Sequence, residues 1–320
     1  MDFQPTLEQQ LGLGANEMTS RIIRLGWVGR GDNDRTHVEA SMVQSRRIAS
    51  RVAAAHRHPT RRACSIASVT TFENAFITGA SSGIGRGLAE RLGRKGTRVV
   101  LAARREAELQ TLAESIRAHG GHADTCVLDV ADTDATRKAI RHWNEETGGL
   151  DLVIANAGVG IMKPAHRLSW EDVEPVLQVN VLGAFATLLA GLEGMVSRGR
   201  GTLVGVSSLA AMRGLPKSGA YAASKAALAT FLETLRTDLD RKGIRVVDVR
   251  PGYVDTDMTR KNKFKMPFLM DVDQAADLTL KGIERGDAIV AYPWPTASAM
   301  SLAQALPNPA WRFISKRIKM

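Results

Sequence analysis

The strongest constraint on this chain is a glycine-rich turn, Gly79-Ala-Ser-Ser-Gly83-Ile-Gly85, set between a strand pattern and a helix pattern. Glu73-Asn-Ala-Phe-Ile-Thr78 reads as a short strand. Arg86 to Lys95 reads as a helix with Leu88, Ala89 and Leu92 on one face. Glycines permit a tight turn and close approach of backbone to a ligand, and a helix N-terminus favours negative charge. Strand, turn and helix together make a phosphate-binding arrangement. The spacing Gly-x-x-x-Gly-x-Gly differs from the Gly-x-Gly-x-x-Gly fingerprint, so the flanking strand and helix carry the assignment rather than the glycines alone.

The alternation continues along the chain. Strand patterns recur near residues 98–102, 123–129, 150–155, 202–206, 244–250 and 287–292, with helical stretches between them. Such alternation implies a parallel sheet covered on both faces, and the strands are nearly continuous Val, Ile, Leu and Ala, as that burial requires. The expectation is an α/β fold: a Rossmann-type doubly wound parallel sheet of about seven strands in a single domain with an N-terminal extension. Residues 71–292 are long enough for one full core. Ser169 is placed to cap a helix running to about Ser197, with Asp172 three residues on.

Within Ser218-Gly-Ala-Tyr-Ala-Ala-Ser-Lys-Ala-Ala-Leu228, Tyr221 and Lys225 lie four residues apart at the start of a helix running to about Asp240. Positions i and i+4 share a face, so a phenol and an ammonium project together. A free Tyr loses its proton near pH 10. A neighbouring positive charge lowers that value and makes the phenol a usable acid or base.

These pieces resemble the short-chain dehydrogenase/reductase family. Thr78 to Gly85 looks like the family's cofactor turn, Asn156-Ala-Gly158 its Asn-Ala-Gly motif, and Pro251-Gly-Tyr-Val-Asp-Thr256 the Pro-Gly segment beside the nicotinamide. Asn180 matches the catalytic Asn. Ser208, thirteen residues before Tyr221, matches the catalytic Ser better than its neighbour Ser207. The resemblance spans residues 71 to 292, and it departs at Ala155, where many members carry Asn. It implies strand order 3-2-1-4-5-6-7 and a catalytic set of Asn180, Ser208, Tyr221 and Lys225. It also implies cofactor contacts from Gly79, Ser81, Ser82, Gly83, Ile84, Gly85, Asp129, Val130, Asn156, Ala157, Gly158, Tyr221, Lys225, Pro251, Gly252, Val254 and Thr256, with Asp129 at the adenine. In the implied reaction, Ser208 and Tyr221 hold a carbonyl oxygen and Tyr221 gives it a proton. Lys225 lowers the Tyr221 pKa, and Asn180 positions a water that relays protons. A non-catalytic NADP-binding sensor or scaffold of the same fold is the alternative.

Charge selects between the nicotinamide cofactors. NAD sites of this fold place an acid after the second strand. Here Arg98-Val-Val-Leu-Ala102 runs into Ala103-Arg104-Arg105-Glu106, with no carboxylate at the strand end. A guanidinium at Arg104 can grip the 2′-phosphate of NADP, so NADP(H) is expected over NAD(H). Arg105 reads as the solvated first turn of the helix Glu106 to His119.

The remaining segments say less. Residues 1–70 hold ten Arg, no Lys and six acids, against a chain net charge of +10. They read as a basic, disordered extension or upstream read-through, and as an organelle transit segment only if translation begins at Met42. Arg without aromatic partners gives no specific nucleic-acid signal. No apolar stretch of membrane-spanning length is expected. Cys64 and Cys126 give neither a disulfide framework nor a metal site, which fits a reducing cytoplasm. The segment Thr259 to Met270 has an apolar half suited to a lipid-like, ketone, aldehyde or 3-oxoacyl substrate. Its basic half is Arg260, Lys261, Lys263 and Lys265. The C-terminal tail, 293–320, has an aromatic and basic pattern suited to a membrane surface, pocket or subunit contact. Family resemblance implies a homodimer or homotetramer through the two long helices.

Overall fold

The computed structural model describes residues 71–318 except 261, 263 and 265. The expectations for residues 1–70 and for Lys261, Lys263, Lys265 and Lys319 lie outside the described residues. The described unit contains seven parallel strands: β1 Asn74–Thr78, β2 Arg98–Ala103, β3 His122–Val127, β4 Leu152–Ala155, β5 Gly201–Val206, β6 Ile244–Pro251 and β7 Ile289–Tyr292. Their order is β3-β2-β1-β4-β5-β6-β7, as the resemblance implies.

Helices cover both faces because successive strand residues point to opposite sides. On one face Ile77, Val99, Leu101 and Ile154 meet Leu88 and Leu92 of α1 (Gly83–Arg94) and Leu109 and Leu112 of α2 (Glu106–Ala118). On the other, Phe76, Val100, Val153 and Leu203 meet Ile140 of α3 (Thr133–Glu146), Leu188 of α5 (Ala184–Arg198), and Leu228 and Leu232 of α6 (Gly219–Leu239). The direction of strand order reverses between β1 and β4. The crevice beyond their carboxyl ends is where ligands bind in open α/β sheets.

The helix expected from Ser169 begins as α4 (Trp170–Leu177), widens to a π turn over Gln178–Gly183, and continues as α5. At its start the Ser169 N–H donates to the Asp172 carboxylate at 3.0 Å. Trp170–Arg198 is thus one 29-residue helix, apolar enough by composition to cross a bilayer, and half of its most apolar stretch is buried within the fold. The expectation that no such stretch exists is corrected: this is a core helix packed on the sheet. Beyond β6 and β7 come α7 (Val272–Arg285), α8 (Trp294–Ala305) and α9 (Asn308–Ser315).

Helix α6 is seated on β5 through a glycine. A Cβ added at Gly205 would lie 2.5 Å from Leu232 Cδ1, and Leu232 is fully buried. Gly205→Ala and Leu232→Ala should therefore each destabilise, Leu232→Ala by about 2–5 kcal/mol. The double variant should lose less than the sum, because the new methyl fills the space the leucine leaves. Denaturant unfolding of the four proteins measures the coupling; strict additivity would contradict this packing.

Candidate active site

The glycine turn is held by the neighbouring strand end. Gly79 and Gly83 have φ of 66° and 54°, a left-handed conformation that side chains resist. Asn156 Nδ2 donates to the carbonyls of Thr78 (3.0 Å) and Gly79 (3.1 Å). The Asn156 and Ala157 N–H groups donate to Thr78 Oγ1 at 3.0 and 3.2 Å. A Cβ at Gly85 would lie 2.5 Å from the Gly79 carbonyl oxygen. Ser82 leads into α1 as its cap residue, in extended conformation, and Ile84 packs on the core. From the far side, Thr256 Cγ2 lies 3.0 Å from where a Gly83 Cβ would stand. A glycine turn held in this shape at a helix N-terminus fits the pyrophosphate of a dinucleotide. Ala155 is buried in β4, and Asn156 supplies the strand-end bonding without a preceding Asn.

The four expected catalytic residues converge on one point. Lys225 is 4 % exposed, and its ammonium donates to the Val206 carbonyl at 2.8 Å. Its Nζ lies 5.9 Å from the Tyr221 ring centroid. Ser208 lies near enough to the Tyr221 phenol to oppose the rise of its pKa, and its Oγ accepts from Ala210 N–H at 3.1 Å. Ser207 turns the other way: its hydroxyl bonds the buried Asp248 carboxylate, which Arg250 Nε reaches at 2.6 Å. The choice of Ser208 over Ser207 thus has a geometric basis. Asn180 is fully buried in the π turn. Its Oδ1 accepts from Val159 N–H at 2.8 Å, and its Nδ2 donates to the Val159 carbonyl and to Ser224 Oγ, each at 2.9 Å. A Cβ at Gly158 would meet both Asn180 Oδ1 and Lys225 Nζ at 3.3 Å, so glycine there leaves the lysine and asparagine accessible to each other.

The expectation that Lys225 lowers the Tyr221 pKa is corrected for this state. Burial pushes the Tyr221 phenol above its usual value, against the opposing Ser208 bond. Burial also pushes Lys225 down to about 8, opposed by the Asp248 charge. In each group desolvation is the largest cause of the shift.

At the end of β2, Arg104 is exposed and faces Asp129 at 3.5 Å. Arg105 is exposed at the start of α2, as expected, and in addition donates to Ser81 Oγ from Nε (3.2 Å) and Nη2 (3.0 Å). It also approaches Asp257 at 3.8 Å. This pairing was invisible in the sequence, because 24 residues separate its members. Asp129 Oδ1 accepts from Ala131 N–H at 3.0 Å. Val130 is buried, with its carbonyl 2.6 Å from where a Gly183 Cβ would lie, so the Asp129–Ala131 loop rests on the π turn.

The Pro251–Thr256 segment closes the site. Ser208 Oγ donates to the Pro251 carbonyl at 3.4 Å, and Gly252 N–H donates to the Tyr292 carbonyl at 2.7 Å. Val254 is buried and bridges Met270. The Tyr253 ring meets Phe264 edge-on at 5.8 Å. Met258, which sequence reasoning missed, brings its sulfur 3.4 Å from the space above Gly160, where Tyr221 Cδ2 lies 3.6 Å away. No spacing rule marks an apolar residue on a turn as a site residue.

The chain matches the short chain dehydrogenase family over residues 73–266, and with this fold and site it belongs to that family. An uncharacterized oxidoreductase of Myxococcus xanthus is 50% identical over 249 residues, covering 78% of this chain and 98% of that protein. A short-chain dehydrogenase from Sphingobium yanoikuyae in complex with NADPH superposes with TM-score 0.66 at 26% identity, covering 77% of this chain and 96% of the other. One from Mycobacterium paratuberculosis bound to NAD superposes with TM-score 0.64 at 25% identity, covering 71% and 98%. The protein is an oxidoreductase of the short-chain type, and the residues present fit a nicotinamide dinucleotide.

Two outcomes test the site. Ser208→Ala should lower turnover by ~10²-fold or more, whereas Ser207→Ala should leave turnover largely intact and cost about 1–3 kcal/mol of stability by removing the partner of Asp248 Oδ1, with Arg250 still bonded to the other oxygen. The depressed Lys225 value means that protonation opposes folding. That cost is complete below pH 8 and is relieved as pH rises from 8 to 10.5. Lys225→Met should be inactive yet more stable at pH 7 by up to about 3 kcal/mol, with the difference shrinking above pH 8 in thermal melts.

Proposed function

We propose that this oxidoreductase uses NADP(H) to interconvert a carbonyl compound and its alcohol, with a substrate whose body is apolar. The observation that carries the cofactor preference is the pair Arg104 and Arg105 at the end of β2. One is exposed beside Asp129 and the other is held on Ser81 of the glycine turn. Guanidinium groups there complement a 2′-phosphate, and no carboxylate follows the strand directly to bond a 2′-hydroxyl. One related structure holds NADPH and another NAD, so the fold accommodates either, and the local charge makes the selection. Met258 beside Gly160, together with Tyr253 and Phe264, supports an apolar substrate body.

When bound, the nicotinamide supplies or accepts the hydride. Ser208 and Tyr221 hold the substrate oxygen. The Tyr221 phenol, kept protonated by burial, donates its proton to that oxygen as reduction proceeds. Lys225 holds a positive charge beneath the phenol at neutral pH and stabilises the phenolate that results. Asn180 fixes Val159 and Ser224 around this pair, and a water beside it would reprotonate the tyrosine. The complete set Asn180, Ser208, Tyr221 and Lys225 favours catalysis over a sensor or scaffold role.

Pairing with a second copy is proposed through the long helix Trp170–Arg198. Leu182, Leu189 and Val196 recur every seven residues along it, each more than 40 % exposed, an apolar stripe suited to a facing helix.

The experiment is NADPH oxidation followed against ketones, aldehydes and 3-oxoacyl thioesters. Tyr221→Phe should lose ~10²-fold or more in turnover. Replacing Arg104 and Arg105 together by Ala should weaken NADPH by about tenfold or more, each charged bond being worth about 1.5–3 kcal/mol, with NADH little changed. Equal loss for both cofactors would contradict the 2′-phosphate reading. Because the phenol is raised, alcohol oxidation should climb with pH while carbonyl reduction declines; parallel pH profiles would rule out Tyr221 as the titrating acid.

A further inference from the structure

Two features of the C-terminal helices are not explained by the active site. The first is their surface. Residues 293–320 contain four Lys and Arg and no Asp or Glu. On α8, Trp294 and Leu302 are 77 % and 67 % exposed, and on α9, Phe313 is 62 % exposed. The Arg317 guanidinium stacks 3.7 Å from the Phe313 ring centroid, so a cationic group sits directly on an exposed apolar one. Arg312 on this short helix and Lys316 just past its end are both exposed. Large exposed apolar groups mark contact surfaces, and basic charge without acid selects an anionic one. Aromatic, aliphatic and cationic side chains together are the pattern of a helix lying in a lipid headgroup layer.

The second is where the helices attach. Arg213, five residues after Ser208, donates from Nη2 to the Leu306 carbonyl (3.2 Å) and to Asn308 Oδ1 (2.8 Å). Its guanidinium lies 5.7 Å from the Trp311 ring centroid, and Trp311 Nε1 donates to the Gly214 carbonyl at 3.2 Å. The inner side of α9 is thus fastened to the loop that leaves the catalytic serine, while its outer side carries Phe313 and the cations.

We propose that α8 and α9 form a docking surface for an anionic lipid bilayer, and that the Arg213–Trp311 attachment holds the loop following Ser208 next to that surface. The stripe proposed for self-pairing lies on a different element, the helix Trp170–Arg198, so the two contacts do not compete for the same residues. The proposal deepens the apolar-substrate reading, because a lipid-dissolved carbonyl or alcohol would reach Tyr221 from the membrane side. Docking itself is measured without turnover, so the two readings fail separately.

The test is co-sedimentation of the full-length protein with vesicles of phosphatidylcholine alone or mixed with phosphatidylglycerol, at low and high salt. A second arm measures subunit mass by light scattering, and a third NADPH binding. The wild type should bind the phosphatidylglycerol vesicles at least about tenfold more tightly than neutral ones, and less as salt rises. Phe313→Ser and the pair Arg312→Gln with Lys316→Gln should each lose about tenfold or more, with NADPH binding and subunit mass unchanged. Trp311→Phe should retain vesicle binding better than Phe313→Ser, since its ring faces Gly214. Absence of vesicle binding would overturn the proposal. Binding unaffected by these variants would also overturn it, and would move the contact to another segment. A fall in subunit mass for Phe313→Ser would overturn it in favour of a self-association surface.

Discussion

One bond sets the register of the catalytic centre. The Lys225 ammonium donates to the Val206 carbonyl at the carboxyl end of β5. Tyr221 lies one helical turn before that lysine, and Ser208 lies two residues beyond that carbonyl. Fixing this contact between α6 and β5 therefore fixes the phenol against the hydroxyl. Leu232 seated over Gly205 holds the same two elements together farther along. The ammonium is buried to make this contact, and its pKa is pulled down to about 8. A site that needs a positive charge beneath a phenol thereby works against the stability of the fold that holds it.

The cofactor turn depends on a comparable long-range bond. A peptide of Gly79 to Gly85 has many conformations available, and glycine makes none of them dominant. Asn156, from the next strand in the sheet, selects one by donating to the Thr78 and Gly79 carbonyls. The π turn does the same for Asn180: widening the helix carries this buried side chain to Val159 and Ser224. Irregular helical turns of this kind occur often at functional sites, because they redirect a side chain without ending the helix.

Much of this architecture was legible beforehand. The seven strands follow from apolar runs separated by helical patterns, since burial on both faces leaves a plain signal, while their order followed from the family resemblance. Tyr221 and Lys225 were legible from helical spacing, and Ser208 from its distance to Tyr221. The membrane-length apolar content of Trp170–Arg198 was missed, because its charges cluster toward the ends and sheet burial hides its central face. Arg105 is solvated as expected, but its bond to Ser81 was not legible, because a helix-start side chain shows no partner until the facing loop is known. Met258 carried no signal at all.

The sequence by itself determined the fold class, the positions of its strands, and the chemical identity of the reacting groups, because periodicity and side-chain chemistry are local properties. Only the tertiary structure decided that Ser207 turns away to Asp248, which arginine reaches the glycine turn, and in which direction burial shifts the tyrosine and lysine. It also decided that the C-terminal helices attach to the loop after Ser208. Each of these depends on groups far apart along the chain being brought within a few ångströms and shielded from water, and no local pattern encodes that distance or that loss of solvent.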